Sequence, residues 1–332
     1  MIDGYLAFDV GGTRVKSGLV DGTGSVLARR TALTEGQRGA DHVLQIMQIL
    51  GRQLLAEVDL HLLAIGIGFT GVIDTATGIV RMLNGKIPDI TGVAVGPMIA
   101  EAFGVPTWVD NDTRVYTIGE WMFGGGQGYS NLLCLTIGTG IGTGVILNGQ
   151  ILRSRGLLGG ILGGHITLDP DGPLCSCGNR GCLETFGSVP ALTSYVRDHL
   201  TRGCQSMLSD MLESDLARLD AVHILHAAEQ GDQLADFALQ RWSKYLGAGL
   251  VTLIHAYDPD CVIIGGRVVQ ASSMLLPSLQ SYITRHAWTW PQRHIIVQPA
   301  VLGDDAAILG GAALARLELE RASGSATIDH AP

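Results

Sequence analysis

The chain has 332 residues, with 22 Lys and Arg against 31 Asp and Glu, for a formal net charge of −9. Apolar residues make up 46% and charged residues only 16%, which excludes a disordered, solvated chain. The acidic balance, without a basic stripe, argues against a nucleic-acid surface.

The first unit opens with short apolar runs at Tyr5 to Val10, Val15 to Val20 and Ser25 to Thr31, parted by Gly11-Gly12 and Asp21-Gly22-Thr23-Gly24. They read as a strand meander. Asp41 to Val58 carries apolar residues at helical spacing and is expected to be a helix capped by Asp41. Leu62 to Gly68 reads as a buried parallel strand, Pro97 to Phe103 as a short helix and Thr107 to Val109 as a strand leading into a helix that ends near Phe123. After the glycine cluster Gly124 to Gly128, Leu132 to Ile137 and Gly144 to Leu147 read as strands around Gly138-Thr139-Gly140-Ile141-Gly142. A glycine-rich loop bearing cysteines follows, from Arg155 to Cys182. The longest helix is expected from Gln233 to Tyr257, with Phe237, Trp242, Tyr245 and Leu246 on its apolar face and Gly247 and Gly249 permitting close packing. A buried strand, Cys261 to Ile264, then ends in Gly265-Gly266.

The uncharged stretch Phe123 to Leu152 is long enough to span a bilayer, but its glycines and its polar Asn131, Asn148 and Gln150 argue against lipid. No signal peptide is evident, because Asp3 and Asp9 flank a short apolar run with no basic region before it. A cytoplasmic protein without membrane contact is expected.

The turns Gly11-Gly12-Thr13 and Gly138-Thr139-Gly140 lack side-chain bulk, so backbone N–H groups can approach a polyphosphate; ordinary hairpins are the other reading. Neither is a Walker loop. Asp9, before the first turn, could hold Mg²⁺ through water. Lys16 could help at phosphate or could be a solvated strand lysine. Asp110-Asn111-Asp112 places carboxylates between a strand end and a helix start, where simple N-capping is the alternative to chemistry. His165, Cys175, Cys177 and Cys182, with Gly178 and Gly181 among them, form a closed set for structural zinc, against free thiols and a core histidine.

These motifs, together with Gly164-His165, Cys175-Ser176-Cys177-Gly178-Asn179-Arg180-Gly181-Cys182-Leu183-Glu184 and Ile263-Ile264-Gly265-Gly266, occur in the order that resembles the ROK family of sugar kinases and repressors. The resemblance covers nearly the whole chain. It implies a two-domain α/β fold of the actin-like ATPase (ribonuclease H-like) kind, with nucleotide and sugar meeting in a cleft. The expected domains are residues 1–118 and a larger 119–303 bearing the zinc loop, with a helix at about 304–320 returning to the first and a disordered tail at 321–332.

The implied activity is ATP-dependent phosphorylation of a hydroxyl on a hexose or hexose-like acceptor. Asp112 is the general base. Asn84, Asn111, Asp112, His165 and Glu184 match sugar-contacting positions, with one nitrogen of His165 on zinc and the other on sugar. Asp9, Gly11, Gly12, Thr13, Gly138, Thr139, Gly140, Gly265 and Gly266 match the nucleotide side. ATP, catalytic Mg²⁺ and structural Zn²⁺ are the implied cofactors, and a homodimer is the implied assembly.

One departure bears on the acceptor. Family kinases usually carry Gly-Glu-x-Gly-His before the cysteines, whereas Leu162 stands here where that Glu belongs. The usual Asn-Leu-Pro-x-Trp segment is altered to Asn84-Gly85-Lys86-Ile87-Pro88-Asp89-Ile90. A sugar hydroxyl facing leucine loses a charge-assisted bond worth ~1.5–3 kcal/mol. A deoxy sugar, an unusual amino sugar or a cyclitol would then fit, unless an acidic side chain such as Asp89 replaces the Glu. The competing class is a non-catalytic sugar sensor or repressor; such repressors carry an N-terminal helix-turn-helix, for which the first phosphate turn at residue 11 leaves no room.

Overall fold

The structure is a computed structural model and describes residues 2–83, 85–213, 215–288 and 293–324. It divides into unit 1, residues 1–129, 148–159 and 301–332, and unit 2, residues 130–147 and 160–300.

Unit 1 is built on a five-stranded sheet. In chain order its elements are β1 (Ile2–Val10), β2 (Arg14–Asp21), β3 (Val26–Leu33), α1 (Ala40–Glu57), β4 (Leu60–Phe69), the small hairpin β5 (Val72–Asp74) and β6 (Ile79–Met82), α2 (Val95–Phe103), β7 (Thr107–Asn111) and α3 (Asp112–Phe123). The sheet order is β3-β2-β1-β4-β7. β1 and β2 are antiparallel, as are β2 and β3, whereas β4 lies parallel to both β1 and β7. The central strand β1 is apolar on both faces because both are covered. Leu6, Phe8 and Val10 enter a core with Val43, Met47 and Leu54 of α1 and Ile99 of α2. The alternate residues Tyr5 and Ala7 pack with Ile308, Ala312 and Ala315 of the last helix of the chain.

That last helix runs Ala306–Ala322, following a single 3₁₀ turn at Gly303–Asp305. Its small residues let backbone meet backbone. A Cβ added at Gly66 of β4 would lie 1.8 Å from the Gly311 carbonyl oxygen, and one added at Gly310 would lie 1.9 Å from that of Val115 in α3. Of the tail expected at 321–332, residues 321 and 322 belong to the helix, which runs through Ala322, and residues 325–332 lie outside the described residues. The division expected at residue 118 falls inside α3, and the chain leaves unit 1 only after Tyr129.

The cap expected for α1 is also different. Gly39 is the N-cap residue, and the free N–H of Ala40 donates to Asp89 Oδ1 at 2.7 Å. Asp89 is thereby committed to satisfying a helix end.

Unit 2 contains β8 (Leu132–Ile137) and β9 (Ile141–Leu147); the two-residue β10 (Gln150–Ile151) follows in chain order within the unit 1 segment. Then come α4 (Leu183–Gly187), α5 (Val189–Thr201), α6 (Leu208–Met211), α7 (Ala221–Glu229), α8 (Gln233–Tyr257), β11 (Cys261–Gly265), α9 (Arg267–Gln270), α10 (Leu275–His286) and β12 (Ile296–Pro299). β8 pairs antiparallel with β9 and parallel with β11, which in turn runs parallel to β12. Helix α8 is the spine. Trp242, 1% exposed, donates its indole N–H to the Gly187 carbonyl at 2.8 Å, while Gly247 and Gly249 admit Tyr282 and Leu183. Phe237, expected on the buried face, is 59% exposed, on a side of α8 that the described residues leave open. Among the described residues no helix is long and apolar enough to cross a membrane.

Candidate functional site

In unit 1 the candidate residues gather at the carboxyl ends of the parallel strands, where open α/β sheets present ligand-binding groups. Asp9 of β1 is in register with Gly68 of β4, and Gly68 with Asp110 of β7. Beyond Asp9 the chain turns through Gly11, Gly12 and Thr13. The turn is held by a Gly11 N–H bond to the Arg14 carbonyl at 3.0 Å and by the Thr34 hydroxyl donating to the Gly11 carbonyl at 2.7 Å. Val10 and Thr70 tie β1 to the end of β4, through Thr70 N–H to the Val10 carbonyl at 3.1 Å.

The strand expected to stop at Val109 runs on through Asn111, and α3 begins at once with Asp112. Asn111 has the capping role that the sequence left open. Its Oδ1 accepts from the backbone N–H of Thr113 at 3.0 Å and of Arg114 at 3.3 Å, while its Nδ2 donates to the Gly71 carbonyl at 3.0 Å. Both ends of the amide are therefore engaged in fixing the strand-to-helix turn. Asp112 follows on the first helical residue, where the peptide N–H groups favour an anion. Its carboxylate accepts from Thr113 N–H at 2.8 Å. A Cβ at Gly68 would lie 3.5 Å from the Asp112 Cα, so only a small residue lets α3 start this close to β4.

Burial pushes the Asp9 carboxyl up to about 6, the neighbouring Asp112 carboxylate adds to the rise, and Lys16 opposes it. Burial likewise raises Asp112, against the Thr113 N–H, the Lys86 ammonium and the Thr113 and Thr70 hydroxyls. Lys16 is paired with Asp304 at 3.2 Å. Asn84 lies outside the described residues.

Asp110 is fully buried, and arginines occupy its carboxylate. Its two oxygens hold Arg114 Nη1 at 2.9 Å and Arg153 Nε at 2.8 Å, and Arg153 continues to Glu318 at 2.7 Å. Arg114 Nη2 also donates to the carbonyls of Leu157 and Gly159, at 2.8 and 2.7 Å. Arg114 and Arg153 were not legible as partners of Asp110. Neither was Lys86, whose only signal was its place in the altered segment after Asn84.

Unit 2 brings a second group together. The turn Gly138-Thr139-Gly140 closes by Gly138 N–H to the Gly140 carbonyl at 3.0 Å. Gly265 is in register with Thr136, and Gly266, at φ 122°, lies so close to Ile137 that a Cβ would stand 2.1 Å from its carbonyl oxygen. The two glycine pairs thus share one end of the β8–β11 ladder. Glu184, at the start of α4, accepts from Ile141 N–H at 2.9 Å, and its Oε2 would lie 2.5 Å from a Cβ on Gly140. A residue expected on sugar and one expected on nucleotide are therefore neighbours.

His165 ends a 3₁₀ turn, Gly163–His165, laid directly on β9. Thr143 Oγ1 fixes that turn by donating to the Gly160 carbonyl at 2.8 Å and accepting from Gly163 N–H at 2.9 Å. Leu162, just before it, is 42% exposed.

The ligand atoms of His165, Cys175, Cys177 and Cys182 all lie within 4.8 Å of one another. His165 Nδ1 is 3.5 Å from Cys175 Sγ, and Cys177 Sγ is 3.7 Å from Cys182 Sγ. Tetrahedral zinc with bonds of ~2.3 Å to sulfur would set sulfurs ~3.8 Å apart, so the Cys177–Cys182 spacing matches and the remaining ligand atoms, all within 4.8 Å, need only small side-chain shifts to close on one ion. With Nδ1 facing the thiols, Nε2 is the nitrogen left over. Burial, then the Cys177 and Cys175 sulfurs, push the Cys182 thiol up to about 12. The Asn179 backbone N–H draws Cys177 the other way. Thiols this crowded ionise together only with a cation among them. Gly181, at φ 62°, makes the fold of this loop possible, since a Cβ there would lie 1.5 Å from the Asp169 carbonyl oxygen.

Comparison with known proteins identifies the family and the fold. The ROK family model matches residues 5–318. A glucokinase of Thermotoga maritima is 32% identical over 309 residues, 93% of this chain and 96% of its own. A xylose repressor of Bacillus spizizenii is 32% identical over 249 residues, and the chain spans 60% of that relative's length. Among solved structures, a ROK family glucokinase from Streptomyces griseus in complex with glucose and AMPPNP superposes with a TM-score of 0.80 at 30% identity, covering 95% of this chain and 99% of that one. A family model spanning nearly all of the sequence, on a fold shared with a solved relative, places this chain in the ROK family.

Proposed function

We propose that this sugar kinase of the ROK family transfers the γ-phosphoryl group of ATP to a hydroxyl of a hexose or hexose-like acceptor, with Asp112 as general base. The observation that carries the reading is the placement of Asp112, with one carboxylate oxygen held by its neighbour's N–H at the start of α3, beside the strand end that bears Asp9. Relatives named glucokinase match over almost their whole length, and one structural relative holds glucose and an ATP analogue.

Phosphoryl transfer passes through a loose transition state, so catalysis is chiefly alignment and charge neutralisation. The acceptor hydroxyl donates its proton to Asp112 while its oxygen attacks the γ-phosphorus, and ADP leaves. A base so placed contributes ~10²–10⁴ in rate. Gly11, Gly12 and Thr13, with Gly138, Thr139, Gly140, Gly265 and Gly266, supply backbone approach to the nucleotide. Asn111, His165 and Glu184 bind the acceptor, His165 through Nε2. Asp9 would hold Mg²⁺ through water, where the ion would neutralise phosphate oxygens. His165 Nδ1 and the sulfurs of Cys175, Cys177 and Cys182 would hold a structural zinc. A homodimer belongs to the same reading, and light scattering at micromolar concentration checks it.

The competing reading, a sugar sensor, is favoured by the repressor relatives, but their match covers 75% of this chain against 93% for the glucokinase. Asp112→Asn tests the choice. It should lower kcat by ~10³-fold or more while glucose-type acceptors and nucleotide still bind. Near-normal turnover by that variant would remove Asp112 as the base.

A further inference from the structure

We propose that the ammonium of Lys86 contacts the phosphoryl group in transfer and neutralises its equatorial oxygens, an inference that rests on the kinase reading above. The backbone on each side of Lys86 is fixed. Ile87 is 1% exposed in the unit 1 core, Asp89 caps α1, and Gln37 Nε2 donates to the Gly85 carbonyl at 3.3 Å. Gly36 lets the Lys86 carbonyl approach so closely that a Cβ there would stand 2.4 Å from the Lys86 oxygen. The side chain itself is exposed and is thrown across the first phosphate turn. A Cβ on Gly12 would lie 2.6 Å from Lys86 Cδ and 3.2 Å from Cε.

The ammonium is therefore delivered over Gly12, and its field also reaches Asp112. It forms no hydrogen bond or ion pair among the described residues, whereas Lys16 is paired with Asp304. An unpaired lysine on an anchored backbone, between a glycine turn and the base, has the position of a point charge for phosphate. In the step, the acceptor oxygen–phosphorus bond forms as the bond from the γ-phosphorus to the β–γ bridging oxygen breaks. The proton goes to Asp112 and ADP carries away the leaving electron pair. Lys86 exchanges no proton; it stabilises the oxygens whose charge is spread in that transition state.

The test compares Lys86→Met and Lys86→Arg with wild type in kcat, acceptor KM and affinity for ADP and for a non-hydrolysable ATP analogue. Lys86→Met should lower kcat ~100-fold or more and weaken the analogue ~10-fold, with ADP affinity and acceptor KM within ~2-fold. Lys86→Arg should recover most of the loss. Retained ADP affinity also certifies that the variant is folded. Unchanged kcat, or equal loss of ADP and analogue affinity, overturns the proposal. A rise in acceptor KM alone overturns it too, by placing the ammonium on the acceptor. If wild type phosphorylates no acceptor, the kinase reading fails, and the ADP-against-analogue comparison still decides whether Lys86 meets the γ-phosphate.

Discussion

The carboxylate of Asp112, on the first residue of α3, acts on that of Asp9, near the end of β1, and helps burial raise it to about 6. Two acids are thus set on either side of the end of β4, Asp9 on β1 and Asp112 just after β7, where neither is fully solvated and where Lys16 and Lys86 only partly compensate them. Such an arrangement favours function over stability, because ionising both acids costs free energy that a bound cation or phosphate-bearing ligand would return.

The pH dependence follows from the sign of that shift. Asp9 binds its proton more tightly in the folded state than unfolded, so the cost of its ionisation is full above about 6, shrinks as pH falls below that value and is gone only below the ordinary carboxyl value of 3.8. Asp9→Asn should therefore raise the melting temperature of the nucleotide-free protein clearly more at pH 7.5 than at pH 5. A gap of the same size at both pH values would contradict this account. Activity should move oppositely, falling on acidification as the raised Asp112 takes up its proton.

Arg114 and Asp110 are 1% and 0% exposed and paired four residues apart across the junction of β7 and α3. Arg114→Met removes one of the two cations held by Asp110 and frees the Leu157 and Gly159 carbonyls. A loss of ~3–5 kcal/mol in urea unfolding is expected from breaking a buried pair on one side. The double variant Asp110→Asn with Arg114→Met should cost less than the sum of the two singles. Additive losses would mean that the pair is not coupled.

Metal analysis of the purified protein should find one zinc per chain, and Cys182→Ser should lose it. The loop from residue 166 to 182 has little apolar core, so zinc binding is most of what folds it. Chelation should make it the first site of limited proteolysis and weaken acceptor affinity. Full activity in a metal-free preparation would count against the site.

Leu162→Glu should improve glucose turnover. The side chain is 42% exposed on a turn held by Thr143, so a longer polar residue fits without repacking, and Asp89 is already committed to α1. The added carboxylate should lower KM for glucose by ~10-fold, the worth of one charge-assisted hydrogen bond. Efficient glucose phosphorylation by wild type, unchanged in the variant, would show that this position does not set the acceptor. A screen of hexoses, N-acetylhexosamines, deoxy sugars and cyclitols supplies the comparison.

Much of the local structure was readable before any fold, because it is written in local spacing. A short apolar run marked β1 and helical periodicity marked α8, whose ends agree with the structure at Gln233 and Tyr257. The cysteine spacing with Gly178 and Gly181 marked a cluster that closes over eight residues plus one histidine. Asp112 stood out because a strand end and a helix start adjoin it in sequence, and the structure places it on the first residue of α3.

What the sequence could not supply were relations between residues far apart along the chain. Asp110 meets Arg153 and, through it, Glu318; Glu184 lies against Gly140; Lys86 crosses Gly12; and Asp89, not Asp41, satisfies the start of α1. The last helix was visible as a helix, but its Gly310-Gly311 pair gained meaning only from the backbone of Val115 and Gly66 against it. Side-chain periodicity records which face of an element is buried. Which charge or backbone group it is buried against depends on the packing of strands and helices around it, and that packing alone determined which acids, lysines and carbonyls became partners.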